Sequence, residues 1–159
     1  MPTGQHPSPL STTKPGIWER VPYWVASVLL LIFAAGHTTG MLSNRSLGPD
    51  ADAVHATMRA VHFAFNGSTR TFDDFMHGLG FATSSFLLFS AFVAWRLSTI
   101  AHEHWETVAP IAWALCVCHV GTAILSWTYL FAGPGVLTTL SAASLGWGAL
   151  AKRRAQRLS

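Results

Sequence analysis

An arginine, two aspartates and a histidine crowd into Arg70-Thr71-Phe72-Asp73-Asp74-Phe75-Met76-His77-Gly78-Leu79-Gly80, at the head of a long apolar run. Asp73 and His77 stand four residues apart and therefore share a helix face, which the spacing carries inward through Gly80, Ser84 and Leu88. A carboxylate so placed orients an imidazole, as general-base and metal-ligand histidines are held. Arg70 beside them could hold an oxyanion. Part of the motif has a plainer purpose: Thr71 with Asp74 three residues on is a capping-box variant, and both aspartates fall in the first turn, where the helix dipole favours negative charge. His77 is not explained that way.

Two other histidines lie in apolar segments, where such residues face protein or water rather than lipid. His37 sits in Gly36-His37-Thr38-Thr39-Gly40, whose glycines four apart offer a smooth patch for close helix approach. His119 centres a stripe of small and polar residues, Ala112, Cys116, His119, Thr122, Ala123 and Ser126, at three-to-four spacing. The remaining candidates carry less. His102-Glu103-His104-Trp105-Glu106 lacks the helical spacing of a zinc motif and reads as a solvated loop. Cys116 and Cys118 point to different faces of one helix, so a disulfide between them is not expected. Asn44-Arg45-Ser46 and Asn66-Gly67-Ser68 fit a glycosylation triplet that matters only in a eukaryotic secretory membrane.

The elements that position these residues follow from composition. Of 159 residues half are hydrophobic and 11% charged, against roughly a quarter charged in soluble domains. Val21 to Asn44, Phe75 to Trp95 and Thr107 to Ala151 contain no Asp, Glu, Lys or Arg. A span takes about 20 mainly apolar residues, so the first two segments predict one helix each. The third predicts two, divided at Gly133-Pro134-Gly135. A signal peptide is the other reading of the first segment, since Lys14 and Arg20 precede an apolar core ending at Ala34-Ala35-Gly36. The run continues through Gly40-Met41-Leu42, which favours a retained helix.

The expected fold is therefore an all-α, four-transmembrane-helix bundle over residues 17–151, after a disordered lead-in over 1–16 and before a basic tail over 152–159. Pro110 is expected in the first turn of the third span, and the fourth runs as a short packing helix from Val136, lined by Thr138, Ala142, Gly146 and Ala149. In the outer loop Val54, Met58, Val61 and Phe65 recur at helical spacing before Asn66-Gly67. They predict an amphipathic helix lying as a lid, with His55, Arg59 and His62 as a solvated polar stripe. Lys14, Arg20, Arg96, Lys152, Arg153, Arg154 and Arg157 fall on one side of this arrangement, and Arg45, Arg59 and Arg70 on the other. Both termini are then cytoplasmic in a plasma or inner membrane. The basic tail suits a membrane surface, and no aromatic-interleaved basic stripe suggests nucleic acid.

At about 1.5 Å per residue, His37 lies roughly 20 Å above Trp24 and His119 roughly 18 Å above Thr107, at nearly one level, with His77 above both. Three functions fit. One is acid–base or redox chemistry on a lipophilic small molecule in an outer-half pocket, with His77, Asp73, His37, His119 and Arg70 as catalytic groups. Another is a b-type haem or metal held by His37 and His119 across the bundle. The third is a structural or accessory subunit of a homo-oligomer or larger membrane complex, whose histidines bond Ser or Thr across helices.

Gly36-His37-Thr38-Thr39-Gly40, Arg70 to Gly78, the Phe86 to Trp95 run and Leu125-Ser126-Trp127-Thr128-Tyr129 together resemble a family of small bacterial four-span membrane proteins. The resemblance covers most of the chain from the first span to the fourth. It implies the architecture and supplies no chemistry. In size and span count the chain is also similar to DoxX-like proteins and to small membrane anthrone oxygenases, a likeness of architecture alone.

Overall fold

The structure is a computed structural model that describes residues 15–43, 45–101 and 104–158. Nearly all of the lead-in, Asn44 of one triplet and the His102-Glu103 pair lie outside the described residues. Among the described residues five helices and one hairpin follow in order: α1 (Ile17–Leu42), α2 (Pro49–Ala60), β1 (His62–Phe65), β2 (Ser68–Thr71), α3 (Phe72–Thr99), α4 (Trp105–Tyr129) and α5 (Ala132–Leu158). α1, α3 and α4 are each long and apolar enough to cross a membrane.

The bundle is built inside out relative to a soluble one. Its buried faces are rich in small and hydroxyl side chains, among them Ala26, Ser27, Ser90, Ala94, Ala112 and Ser141. Its outer surface carries large apolar ones such as Ile32, Phe89, Phe92, Ile124 and Trp147. Small residues let helices approach closely where lipid removes the hydrophobic advantage of burying large ones, and the apolar exterior is consistent with contact to a bilayer. α1 is the central helix: α3 and α5 pack along it, α4 packs along α5, and α3 and α4 meet only sparsely. One apolar cluster, including Tyr23, Ala94, Leu97, Trp105, Leu115 and Leu145, joins α1, α3, α4 and α5 toward the end of the bundle where α1 begins and α3 ends. A second, Leu30, Phe33, Ala34, Leu87 and Ala91, joins α1 to α3 farther out.

α5, the helix expected as a fourth span, differs from expectation at both ends. It starts at Ala132, so Gly133-Pro134-Gly135 belongs to its first turn, where a proline costs no helical hydrogen bond. The reversal is made instead by Leu130 and Phe131. α5 then continues through the basic segment to Leu158, and Lys152 is fully buried, its amine donating to the Ile100 carbonyl. Lys152 is thus a packing residue, and only the cations beyond it remain at the surface. The α4 helix likewise begins earlier than expected, at Trp105, which puts Pro110 in its second turn.

The outer loop holds a helix and, in addition, a hairpin. α2 ends at Ala60, and Val61 and Phe65, expected to extend it, are respectively its C-cap and part of β1. β1 pairs antiparallel with β2, His62 opposite Thr71 and Phe65 opposite Ser68. Asn66 and Gly67, at φ 49° and 76°, make the two-residue turn. Two successive positive φ angles match the twist of a tight hairpin, and Asn-Gly adopts them most readily. At the other end of α2, the Ser46 hydroxyl (2.6 Å) and Leu47 amide (3.3 Å) bind the Asp52 carboxylate, holding its pKa below the usual range and anchoring the first turn.

Glycines report where the packing is tight. A Cβ on Gly148 would lie 2.7 Å from the buried Tyr23 ring, whereas at Gly36, Gly40, Gly78 and Gly121 it would meet nothing within 4 Å. The Gly36/Gly40 patch therefore faces outward and is not used for packing within the chain. Gly148→Ala should lower stability by about 1–3 kcal/mol, the usual cost of overpacking, while Gly121→Ala should be neutral or stabilising; thermal unfolding of the purified protein in detergent compares them.

Candidate functional site

Thr71 organises the outer rim. Its hydroxyl accepts the Asp74 amide at 3.0 Å, and the Asp74 carboxylate accepts the Thr71 amide at 2.9 Å, which completes the capping box. Asp74 is thereby committed to the helix end. His77 Nδ1 lies 2.9 Å from the Asp73 main-chain carbonyl and 3.6 Å from its carboxylate. The imidazole is held mainly by its own helix, with the Asp73 side chain a secondary partner, and its side chain is 41% exposed. Arg70 donates to the Thr69 carbonyl at 2.8 Å. It lines a shallow groove of about 260 Å³ with Asp74, Phe75, Gly78 and Leu79, on the face beside the one that carries Asp73 and His77. From His77 the buried line runs through Gly80, Ser84, Leu87 and Ala91; Leu88 faces outward, because the helix turns slightly faster than four residues per turn.

His37 belongs to a separate cluster one level inward. Ser84 Oγ lies 3.1 Å from His37 Nδ1 and accepts the Thr38 hydroxyl at 2.8 Å, tying α1 to α3. Phe33 meets the half-buried His37 ring edge-on at 6.2 Å. This is the serine-bridged arrangement expected of a structural histidine.

His119 is different. It is completely buried, and its Nδ1 lies 3.0 Å from the Leu115 carbonyl. A carbonyl only accepts, so Nδ1 carries the proton, and Nε2 of the neutral ring is an acceptor. Nε2 has no hydrogen-bond partner among the described residues. The ring stacks on Phe86 of α3, centroids 5.6 Å apart and planes at 19°, at the seam where α3 and α4 scarcely touch. A donated Nδ1 proton fixing the tautomer, with Nε2 available, is how a basic or ligating histidine is prepared. The expected α4 stripe is accurate: Ala112, Cys116, His119, Ala123 and Ser126 are buried and Thr122 lies at its edge. Cys116 is buried and donates to the Ala142 carbonyl at 3.6 Å, Cys118 is exposed, and both are free thiols.

The five residues picked out by sequence thus divide into three places. Asp73 and His77 share one face at the rim, with Arg70 beside them; His37 lies on the α1/α3 contact; His119 lies in the interior against α3. Both inner histidines engage α3, His37 through Ser84 and His119 through Phe86. Among the described residues, no group of three or more His, Cys, Asp or Glu is placed to hold a metal ion. The expected lid, α2, has no buried residue and rests against β2 and the head of α3. Its apolar side borders an open groove of about 380 Å³ that includes Val54, Met58, Val61 and Phe72.

Three buried hydroxyls escaped the sequence reading. Among the described residues, Tyr23 Oη, Ser90 Oγ and Ser141 Oγ are, like His119 Nε2, without a hydrogen-bond partner. Each of α1, α3, α4 and α5 contributes one of these four atoms. An unsatisfied buried polar group costs about 1–3 kcal/mol, so four of them rival the whole 5–15 kcal/mol stability of an ordinary domain. Ser90 and Ser141 resemble common small packing residues in sequence; only three-dimensional placement separates them from Ser27, which donates to the Ala91 carbonyl at 2.9 Å.

The rim motif makes a stability prediction. Thr71→Ala should cost about 1 kcal/mol by removing the cap and should accelerate amide exchange in the first turn of α3. Thr71→Ser should preserve both, and Asp73→Asn should change stability by less than about 1 kcal/mol, as for a largely solvated pair.

Comparison with protein-family models, with curated proteins and with solved structures finds no match to this chain.

Proposed function

We propose that this protein is a four-span membrane protein that admits a lipophilic, hydroxyl-bearing small molecule from the bilayer and performs acid–base chemistry on it, with His119 as the base. The observation that carries this reading is the buried Nε2 of His119, oriented by the Leu115 carbonyl and lacking a protein donor. The sparse α3/α4 seam, with Phe86 against the imidazole, offers entry from the side. A phenolic or enolic O–H donates to Nε2; as the proton transfers, an oxyanion forms on the ligand and the imidazolium keeps its Nδ1–H on Leu115. His37 with Ser84 can serve a second proton transfer nearer the surface. Asp73, His77 and Arg70 form the outer rim, where Arg70 would attract an anionic product.

The test is retention and turnover. Purified wild type in nanodiscs should release a hydroxyl-bearing lipophile on organic extraction, and His119→Ala should reduce its occupancy at least tenfold while His77→Ala changes it less than threefold. Equal occupancy in wild type and His119→Ala would overturn the assignment. A Soret band lost in both His37→Ala and His119→Ala would replace it with a bis-histidine haem.

A second reading, a structural subunit of a homo-oligomer or larger complex, has its own support in Gly36 and Gly40. These face outward and leave a smooth strip against which another helix could pack. Gly36→Leu should then dissociate the assembly in blue-native gels without lowering monomer stability.

For topology, we take α5 as the fourth span from Val136 to Ala151 and both termini as cytoplasmic, on the distribution of Lys and Arg. A fluorescent protein fused after Ser159 should therefore fluoresce, and alkaline phosphatase inserted at Asn66-Gly67 should be active.

A further inference from the structure

The four unpartnered polar atoms are spread along the bundle rather than gathered at one point. Ser141 adjoins Ala142, whose carbonyl receives the Cys116 thiol, and His119 is one turn from Cys116. Ser90 adjoins Ala91, whose carbonyl receives Ser27. Tyr23 packs in the same inner cluster as Cys116, Ala94 and Leu145. Counting about 1.5 Å per residue from Ile17, Thr99 and Trp105, and on α5 from Lys152, which is level with Ile100 through its bond to that carbonyl, Tyr23, Ser90, Ser141 and His119 lie roughly 9, 14, 16 and 21 Å deep. Their total spread of about 12 Å exceeds the reach of one small polar head group. Successive steps along the bundle axis of roughly 5, 2 and 5 Å instead suit polar groups joined directly or through one water.

We infer that the bundle interior holds a file of ordered water molecules bridging Tyr23, Ser90, Ser141 and His119, and that this file connects the His119 imidazole to the cytoplasmic end of the bundle. Water suits these partners because each hydroxyl both donates and accepts, Nε2 accepts, and a buried water typically makes about three such bonds. The small side chains around the file, Ala26, Ala94, Ala112 and Ala142, and the sparse α3/α4 contact favour such room. At its inner end Tyr23 lies one turn from Glu19, whose charge acts on the buried Lys152 amine. A proton passes without any redox partner. Nε2 takes one from the adjacent water, that water is reprotonated by the next member, and the last proton comes from cytoplasmic water; release reverses the order. The relay role rests on the acid–base reading of His119, whereas the hydration does not.

Radiolytic hydroxyl-radical labelling of the full chain in nanodiscs tests the file, because bound water generates radicals beside buried side chains. The two tyrosines are an internal pair: Tyr23 is 0% and Tyr129 76% exposed. Tyr23 should be labelled within tenfold of Tyr129, and Ser141→Val should reduce Tyr23 labelling at least threefold with Tyr129 unchanged. Tyr23 labelling no higher than that of Leu30, fully buried in an apolar cluster, after correction for intrinsic reactivity, overturns the proposal, and this wild-type readout needs no variant to fold. Exchange broadening of the His119 Nε2 nitrogen-15 signal on acidification tests the relay, since the exchange rate there is the rate at which protons reach and leave Nε2. A tenfold slowing in Ser141→Val supports it and an unchanged rate overturns it. Strong Tyr23 labelling in a protein that retains no lipophile would keep the water file and remove the acid–base function.

Discussion

The constraint on which this structure depends is that a polar group within a low-dielectric helix bundle must find a partner there, because lipid offers none. It explains why α1 is central. Ser27 donates to the Ala91 carbonyl, His37 meets Ser84, and Thr38 donates to the same Ser84, so one face of α1 is stitched to α3 by side-chain hydrogen bonds. The opposite contact with α5 is made by shape, the Tyr23 ring filling the space that Gly148 leaves. Large apolar residues have no comparable constraint and are displaced to the exterior.

The same constraint separates the histidines. His77 and His37 have each found the partner that their level permits, a main-chain carbonyl at the rim and a serine across the α1/α3 contact. His119 uses one nitrogen on its own helix and leaves the other in the interior. Three histidines that look equivalent in an apolar sequence are therefore unequal in chemistry, and the inequality comes from which helix each ring faces.

Much of the architecture was legible because it rests on local rules. Uncharged runs marked α1, α3 and α4; Thr71 and Asp74 announced the start of α3; and the three-to-four spacing of Ala112, Cys116, His119, Ala123 and Ser126 named the buried face of α4. Errors arose where two local rules competed. Val54, Met58, Val61 and Phe65 have helical spacing, yet Asn66-Gly67 favours a tight hairpin, and pairing of His62 with Thr71 won over another helical turn. Gly133-Pro134-Gly135 looked like a break because proline stops a helix from within, but in a first turn it starts one. Gly36 and Gly40 looked like an internal contact because spacing identifies a smooth face without saying what it faces.

The candidate site was less legible, for a physical reason. Residue type and depth located His37 and His119 at similar levels, but function depends on whether each nitrogen has a partner, and that is decided by side chains distant in sequence. Ser84 is 47 residues from His37 and satisfies it; Ser90 and Ser141, of the same chemical type, bond nothing among the described residues. A bundle that stitches α1 to α3 so thoroughly could have closed α3 on α4 as well, with one more serine opposite Nε2. Instead Phe86, which can stack on the imidazole but cannot donate to it, stands at that contact. An aromatic at this point holds the ring by stacking and leaves Nε2 without a donor, and the proposed role of His119 as a base rests on that combination.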